Sequence, residues 1–398
     1  MKVILDIMAL GASYEHHNRR TGIFRVVDEL AKGLEKSPNC NTSFVSMHYP
    51  GGSSKYLKEA KFSTKIEYPT VGDRIINKLK LSALNKYLGG MFPPVNLDGL
   101  LKQADIYHSP FFPIPPEIIE RKSNKLFLTV HDLIPILHPQ YFKDDASQLH
   151  VKGSIESIQK NGYFFCVSNS TKNDLCTLFS IEPERVFITP LAASKDRFYQ
   201  STDRVKNESV KEKYNMGNKN YFLSLSTLEP RKNIDHTIRC FIRLLEQEHI
   251  RDVYLVLVGS KGWNFDKIFN EIEGASLYKS KIILTGYVPD EDLDALYSDA
   301  LAFIYPSFYE GFGLPPLEAM QCGTPVIVSN TSSLPEVVGN AGILVDPLDT
   351  DALCAGMLQL YNDKQLREKM SNDSLIQAKK FSWDIFINNN IKGYREVL

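Results

Sequence analysis

The chain is predicted to be an α/β protein built as two Rossmann-like, doubly wound domains. Three observations predict this. Its 398 residues exceed the length at which a single hydrophobic core usually stops growing. Short β-rich apolar runs alternate with amphipathic helical runs along the chain, the pattern of a parallel sheet with helical crossovers. One polar stretch, 199–219, carries no strand pattern and interrupts the alternation.

In the first half, strands are expected at 2–6, 42–48, 106–108, 126–131, 164–168 and 186–189, with helices at 23–34 and 154–160. A second series begins beyond the polar stretch, with strands at 221–226, 254–259, 281–285, 302–305, 325–329 and 342–345, each leading into a helical run. The stretch 199–219 therefore reads as a linker. The domains are expected at 1–198 and 199–382, with a final helix near 383–398 packing back on the first. In such sheets ligands bind beyond the carboxyl ends of the strands, and two such edges are expected to face one central cleft.

The formal charge of -1 gives no basic field for nucleic acid. The six cysteines are scattered without a C-x-x-C pair, which fits buried thiols of a reduced, cytoplasmic protein better than disulfides or zinc. The apolar start from Met1 to Asp6 is too short for a signal peptide and reads as a buried strand. No stretch has the roughly 20 apolar residues needed to span a bilayer. Peripheral contact remains open at 74–88, which has apolar residues at helical spacing and interspersed cations. An ordinary packed helix is the other reading.

Segment 305–325 carries the densest chemistry. A strand ends near Tyr305, a loop with Gly311 and Gly313 follows, and Pro315 and Pro316 suit the opening of a helix. Glu310 falls in the loop and Glu318 in the first helical turn, so both carboxylates can face one cavity. The glycines admit a ligand to the backbone, and free helix-start N–H groups bind phosphate. Carboxylates accept strong charge-assisted hydrogen bonds from sugar hydroxyls. The plainer reading makes both acids dipole partners of the helix.

The spacing Glu310-x7-Glu318 resembles the signature of the family-four retaining glycosyltransferases, which adopt the GT-B fold. The likeness continues through Gly323-Thr324-Pro325, Leu334-Pro335-Glu336-Val337, Gly339-Asn340-Ala341-Gly342 and Phe381-Ser382-Trp383-Asp384. The resemblance implies that Glu310 contacts the donor sugar and Glu318 the nucleotide ribose. It also implies that the backbone of Gly311, Phe312, Gly313 and Leu314 holds sugar and phosphate.

Arg231 and Lys232 follow the strand that opens the second domain. Adjacent cations at a strand end can clamp a diphosphate and stabilise a departing nucleotide. The family usually has an arginine near Thr227 and a lysine matching Lys232. This chain lacks the former, and Arg231 is its candidate substitute. In the first domain, Gly22, flanked by Arg19, Arg20 and Arg25, resembles the family's phosphate-facing loop. His131 ends a strand where the family places a histidine beside the transferred sugar, with Asp132 to orient it. Gly259 ends another strand on the donor side, followed by Trp263. Tyr287 and Val288 resemble the base-contacting loop, although Tyr287 fits core packing equally well. Asp292 and Asp294 have the D-x-D form of a metal site in a different fold. Here they fall on a helical run, point apart and read as solvated first-turn acids, so no metal or other cofactor is expected.

The resemblance thus implies transfer of a sugar from a nucleotide donor with retention, the acceptor attacking on the leaving-group face. The Glu-Pro-Arg-Lys-Asn and His-Asp-Leu-Ile-Pro runs resemble bacterial mannosyl- and rhamnosyltransferases of surface-polysaccharide assembly. GDP-mannose is therefore the favoured donor, UDP-sugars and dTDP-rhamnose the alternatives, and an oligosaccharide or lipid-linked saccharide the acceptor. A double-Rossmann sugar-nucleotide epimerase is the competing class. No G-x-G-x-x-G follows the first strand to support a nicotinamide enzyme.

Overall fold

A computed structural model describes residues 1–15, 22–62, 97–121, 124–262 and 265–398. Arg19, Arg20, Trp263 and the amphipathic run at 74–88 lie outside the described residues. The chain divides into two units. The first contains Met1–Ile136, Asp144–Pro190 and Trp383–Leu398, and the second contains Leu137–Lys143 and Leu191–Ser382.

Six parallel strands make the sheet of the first unit: β1 (Lys2–Asp6), β2 (Asn41–Val45), β3 (Ile106–Ser109), β4 (Lys125–Val130), β5 (Tyr163–Cys166) and β6 (Val186–Ile188). They lie in the order β2-β1-β3-β4-β5-β6. The second sheet holds β7 (Asn220–Leu225), β8 (Val253–Val258), β9 (Ile282–Gly286), β10 (Ala302–Tyr305), β11 (Val326–Ser329) and β12 (Ile343–Val345). Its order is β12-β11-β10-β7-β8-β9, again parallel throughout. Strands covered on both faces must be apolar at nearly every position, and β8 and β10 are. That is why they stood out in the sequence.

Each order contains one point where the winding reverses. In the first sheet it lies between β1 and β3, and in the second between β7 and β10. Ligands of doubly wound sheets gather at such points, because the loops on either side diverge and leave a crevice.

Two expectations are corrected. The stretch 199–219, read as a linker between the domains, lies inside the second unit. It forms the helix Arg204–Lys213, whose N-cap Asp203 accepts the Lys206 N–H at 3.0 Å. Its lysines explain the second correction. Asp292 and Asp294 are buried rather than solvated, at 8% and 1% exposure. Asp292 takes Lys213 Nζ at 2.6 Å and the Tyr214 hydroxyl at 2.7 Å, while Asp294 takes Lys206 Nζ at 2.6 and 2.7 Å. Burial pushes the Asp292 carboxyl up, but Lys213 and Tyr214 outweigh it and hold it below its ordinary value. The two acids fasten one helix to another.

A helix at Met8–Glu15 precedes the one at Gly22–Lys36. It escaped the sequence reading because its few apolar residues show no clear stripe. The final helix, Trp383–Glu396, belongs to the first unit, where the Tyr394 hydroxyl meets His108 Nδ1 at 2.6 Å. Among the described residues no helix is long and apolar enough to cross a membrane.

Candidate functional site

The loops leaving β7 and β10 meet where the second sheet reverses. After β7 the chain makes a short 3-10 turn, Pro230–Lys232, and Asn233 ends it in the left-handed region at φ 57. Asn233 Nδ2 donates to the carbonyls of Pro306 and Pro347, at 3.1 and 2.7 Å. The Phe308 N–H donates to the Arg231 carbonyl at 2.9 Å. The backbone thus joins the two loops before any charged side chain acts.

Onto this frame the structure brings Arg231, Lys232 and Glu310. Lys232 Nζ donates to Glu310 Oε1 at 2.7 Å and to the Tyr305 hydroxyl at 2.7 Å. Glu310 Oε1 also accepts from Tyr305 at 2.9 Å and Ser307 at 2.6 Å, while Oε2 pairs with Arg231 Nη1 at 2.9 Å. Arg231 is held further by Glu229 at 2.7 Å and by the Tyr309 carbonyl at 2.6 Å. Oε1 is saturated by three donors, so a sugar hydroxyl reaching this carboxylate has Oε2 to bind.

Glu310 is only 8% exposed. Burial alone would raise its pKa, but the charges of Arg231 and Lys232 outweigh it and hold the carboxyl at about 2. Burial opposes the charge of Arg231 too, and Glu310 and Glu229 reverse that, holding the guanidinium above its ordinary value. For Lys232, burial dominates and pulls the ammonium down, with Glu310 opposing and Arg231 adding to the fall. The cluster is a preformed, ionised lattice in a poorly solvated place, where an arriving anion would feel each charge strongly.

The helix after β10 departs from expectation. It spans Leu314–Gln321, with Gly313 as its N-cap at φ 110. A Cβ at Gly313 would press on the end of the Leu334 side chain at 2.7 Å, and the left-handed conformation itself calls for glycine. Because the helix starts at Leu314, Glu318 is its fifth residue and lies beyond the first turn. Complementing the dipole, which acts within that turn, does not account for it. Glu318 is buried and accepts the Tyr297 hydroxyl at 3.3 Å. Pro315 and Pro316 have no N–H, and Leu317 already donates to Gly313 at 3.3 Å. The helix start therefore offers an anion the Leu314 N–H, fewer donors than expected. Phe312 packs edge-on against Phe381 at 5.7 Å, so only its backbone is left for a ligand, and Gly311 lies beside it.

The remaining candidates sit at the ends of neighbouring strands. Gly259, at φ 143, closes β8, and a Cβ there would meet the Ser226 carbonyl at 1.8 Å. Thr227 is exposed and Val288 is buried. Tyr287 is 74% exposed, which rules out the core-packing reading. In the first unit, Gly22 opens its helix and is exposed. His131 follows β4, and its Nε2 donates to the Pro110 carbonyl at 2.8 Å, with burial taking its pKa down to about 4. The imidazole is therefore neutral near pH 7. Its ring is oriented by Pro110 rather than by Asp132, whose Oδ1 instead accepts the Ile134 N–H at 3.0 Å.

Sequence reasoning missed Tyr305, Ser307 and Glu229, which hold the charged groups in place. Tyr305 had looked like the plain end of a strand. It also missed Phe111 and His150, whose rings pack together at 4.7 Å beside His131. No local motif marks either group.

Residues 205–375 match the family model for glycosyl transferases group 1. The chain is 38% identical over 290 residues to the O-antigen chain mannosyltransferase B of Escherichia coli, covering 73% of this chain and 74% of that protein. This chain belongs to the group 1 glycosyltransferases. It is also 30% identical over 275 residues to the serotype-specific mannosyltransferase WbdA of E. coli, a match that covers 34% of that longer relative. Among solved structures, this glycosyltransferase is similar over its whole length to one from Rickettsia africae, with a TM-score of 0.70 at 19% identity. It is likewise similar to Anabaena Alr3699/HepE, solved with UDP-glucose, at 0.71 and 14%. At those identities the likeness establishes the fold, and that fold is GT-B. Family membership sets aside the epimerase alternative. Among the described residues, no cluster of three or more His, Cys, Asp or Glu could hold a metal ion.

Proposed function

We propose that this glycosyltransferase moves mannose from GDP-mannose to a saccharide or lipid-linked saccharide acceptor, retaining the anomeric configuration. The observation that carries the reading is the Arg231–Lys232–Glu310 lattice at the reversal between β7 and β10. Its two cations suit a diphosphate leaving group, and its carboxylate suits sugar hydroxyls. In this reading Arg231 and Lys232 take the leaving diphosphate directly, and no metal or other cofactor takes part. The name of the 38% identical relative supports mannose and a surface-polysaccharide acceptor.

In this scheme the donor diphosphate lies against Arg231, Lys232 and the Leu314 N–H. Glu310 Oε2 takes hydroxyls of the donor sugar, Glu318 the ribose, and the loop of Tyr287 and Val288 the base. Neutral His131 is the first-unit group that the family resemblance assigns to the transferred sugar. The acceptor hydroxyl attacks the anomeric carbon on the face from which the diphosphate leaves. The C–O bond to the phosphate breaks, and the acceptor proton passes to a departing phosphate oxygen.

The test pairs a thermal-shift comparison of GDP, UDP and dTDP with a transfer assay. A ligand that binds only the folded state raises the apparent stability by mass action. GDP should give the largest shift, and GDP-mannose should yield an α-linked product only when acceptor is present. No shift with any of the three nucleotides would overturn the site, and a β-linked product would overturn retention.

A further inference from the structure

A cavity of about 340 Å³ opens on the second unit, and its walls include none of Arg231, Lys232, Glu310 or Gly313. Asp235 and Arg239, on the helix Ile234–Gln247, form one wall, and Lys267, on the helix Asp266–Gly274, forms another. Tyr141 and Phe308 close a third side with nearly parallel rings, tilted by 12° and 6.0 Å apart. Both residues are half-buried, so part of each ring remains open to the cavity.

We propose that this cavity is a second saccharide subsite, holding one neutral pyranose unit of the acceptor or product chain away from the reacting end. The chemistry of the walls carries the assignment. Partly exposed aromatic faces receive the C–H face of a sugar ring. Asp235 spends Oδ2 on Arg239 at 3.0 Å, and its Oδ1 remains for a hydroxyl. Lys267 has no hydrogen-bond or ion-pair partner among the described residues and offers an ammonium. The Thr350 hydroxyl, 3.0 Å from His236 Nε2, adds a further polar group. A carboxylate and an ammonium lining one cavity suit a ligand that both donates and accepts hydrogen bonds without charge. A phosphate would meet the Asp235 carboxylate. The volume lies at the small end for a ligand site, with room for a sugar ring rather than a whole nucleotide sugar.

The subsite rests on the reading that the acceptor is a saccharide. Holding one unit of the chain would raise the local concentration of its end near the transfer site. The exposed position of Leu348, on the cavity rim at 75% exposure, allows a test that spares the core. Full-length enzyme is titrated with α-mannotriose by ligand-observed NMR, using wild type, Leu348→Trp, which fills the cavity, and Tyr141→Ala, which removes one ring. Both variants should bind the trisaccharide about tenfold more weakly, on the order expected for losing an aromatic anchor, and should keep the wild-type GDP thermal shift. Unchanged trisaccharide affinity in both variants, or no binding to wild type, would overturn the subsite while leaving the donor reading intact. Loss of the GDP shift in wild type would instead overturn the donor reading.

Discussion

Two buried carboxylates sit at the winding reversals of the two sheets, and their environments push them in opposite directions. Asp6 ends β1 in the first unit, with Oδ1 accepting the Met8 N–H at 2.8 Å and Oδ2 the Tyr107 hydroxyl at 3.1 Å. Among the described residues its donors are neutral, and burial raises its pKa to about 6. Glu310 follows β10 in the second unit, equally removed from water, and two cations hold it at about 2. Among the described residues, the same kind of fold thus surrounds one carboxylate with neutral donors and the other with fixed ions. What differs is whether the adjoining loop brings in Arg231 and Lys232.

The sharpest way to break this contrast is Glu310→Gln. It leaves two buried cations short of a counter-charge, which typically costs about 3–5 kcal/mol, and removes a group held for the donor. Urea denaturation should register the stability loss, and turnover should fall by at least about 100-fold. A variant as stable as wild type would mean the ions are not coupled as drawn.

Lys232→Met tests the cation side. Glu310 keeps Arg231, Tyr305 and Ser307, so stability should drop less, by about 1–3 kcal/mol. The GDP thermal shift should nearly vanish, and a full shift would remove Lys232 from the phosphate site.

The two acids also predict opposite pH behaviour. The folded pKa of Glu310 lies below the roughly 4.3 of a free glutamate, so its stabilisation is present above that pH and is lost as pH falls toward 2. Asp6 is raised above the roughly 3.9 of a free aspartate, so ionising it costs stability as pH rises from there through 6. Wild type should therefore exceed Glu310→Gln by more at pH 7 than near pH 3, and exceed Asp6→Asn by less at pH 7 than at pH 4. Denaturation series at these pH values would show parallel slopes if the contrast is wrong.

The smallest effect is expected from Tyr287→Ala. With the ring 74% exposed, stability should change by no more than about 0.5 kcal/mol. A measurable loss of GDP affinity would place the ring on the base. Any larger loss of stability would restore the packing role the structure denies it.

Much of this was legible in the primary structure, because strands covered on both faces are apolar at most positions, as β8 and β10 are. The residues Arg231, Lys232, Glu310 and Gly313 were equally visible, since their types and spacing are local properties. Three features resisted. The acids Asp292 and Asp294 looked solvated because their partners Lys206 and Lys213 lie about 80 residues earlier, in a stretch that looked like a linker. The short helix Met8–Glu15 has no clear apolar stripe to announce it. The start of the helix after β10 depended on the left-handed Gly313, which set the position of Glu318.

The sequence by itself determined two doubly wound α/β domains through periodicity, and a family resemblance through the motifs around Lys232 and Glu310. Only the tertiary structure decided that Glu310 is ionised and Asp6 is pushed the other way. It also decided that Phe312 faces the core while Tyr287 faces water, and that a cavity of about 340 Å³ opens on the second unit. Charge state and exposure depend on neighbours brought together by sheet order, and spacing along the chain carries no record of them.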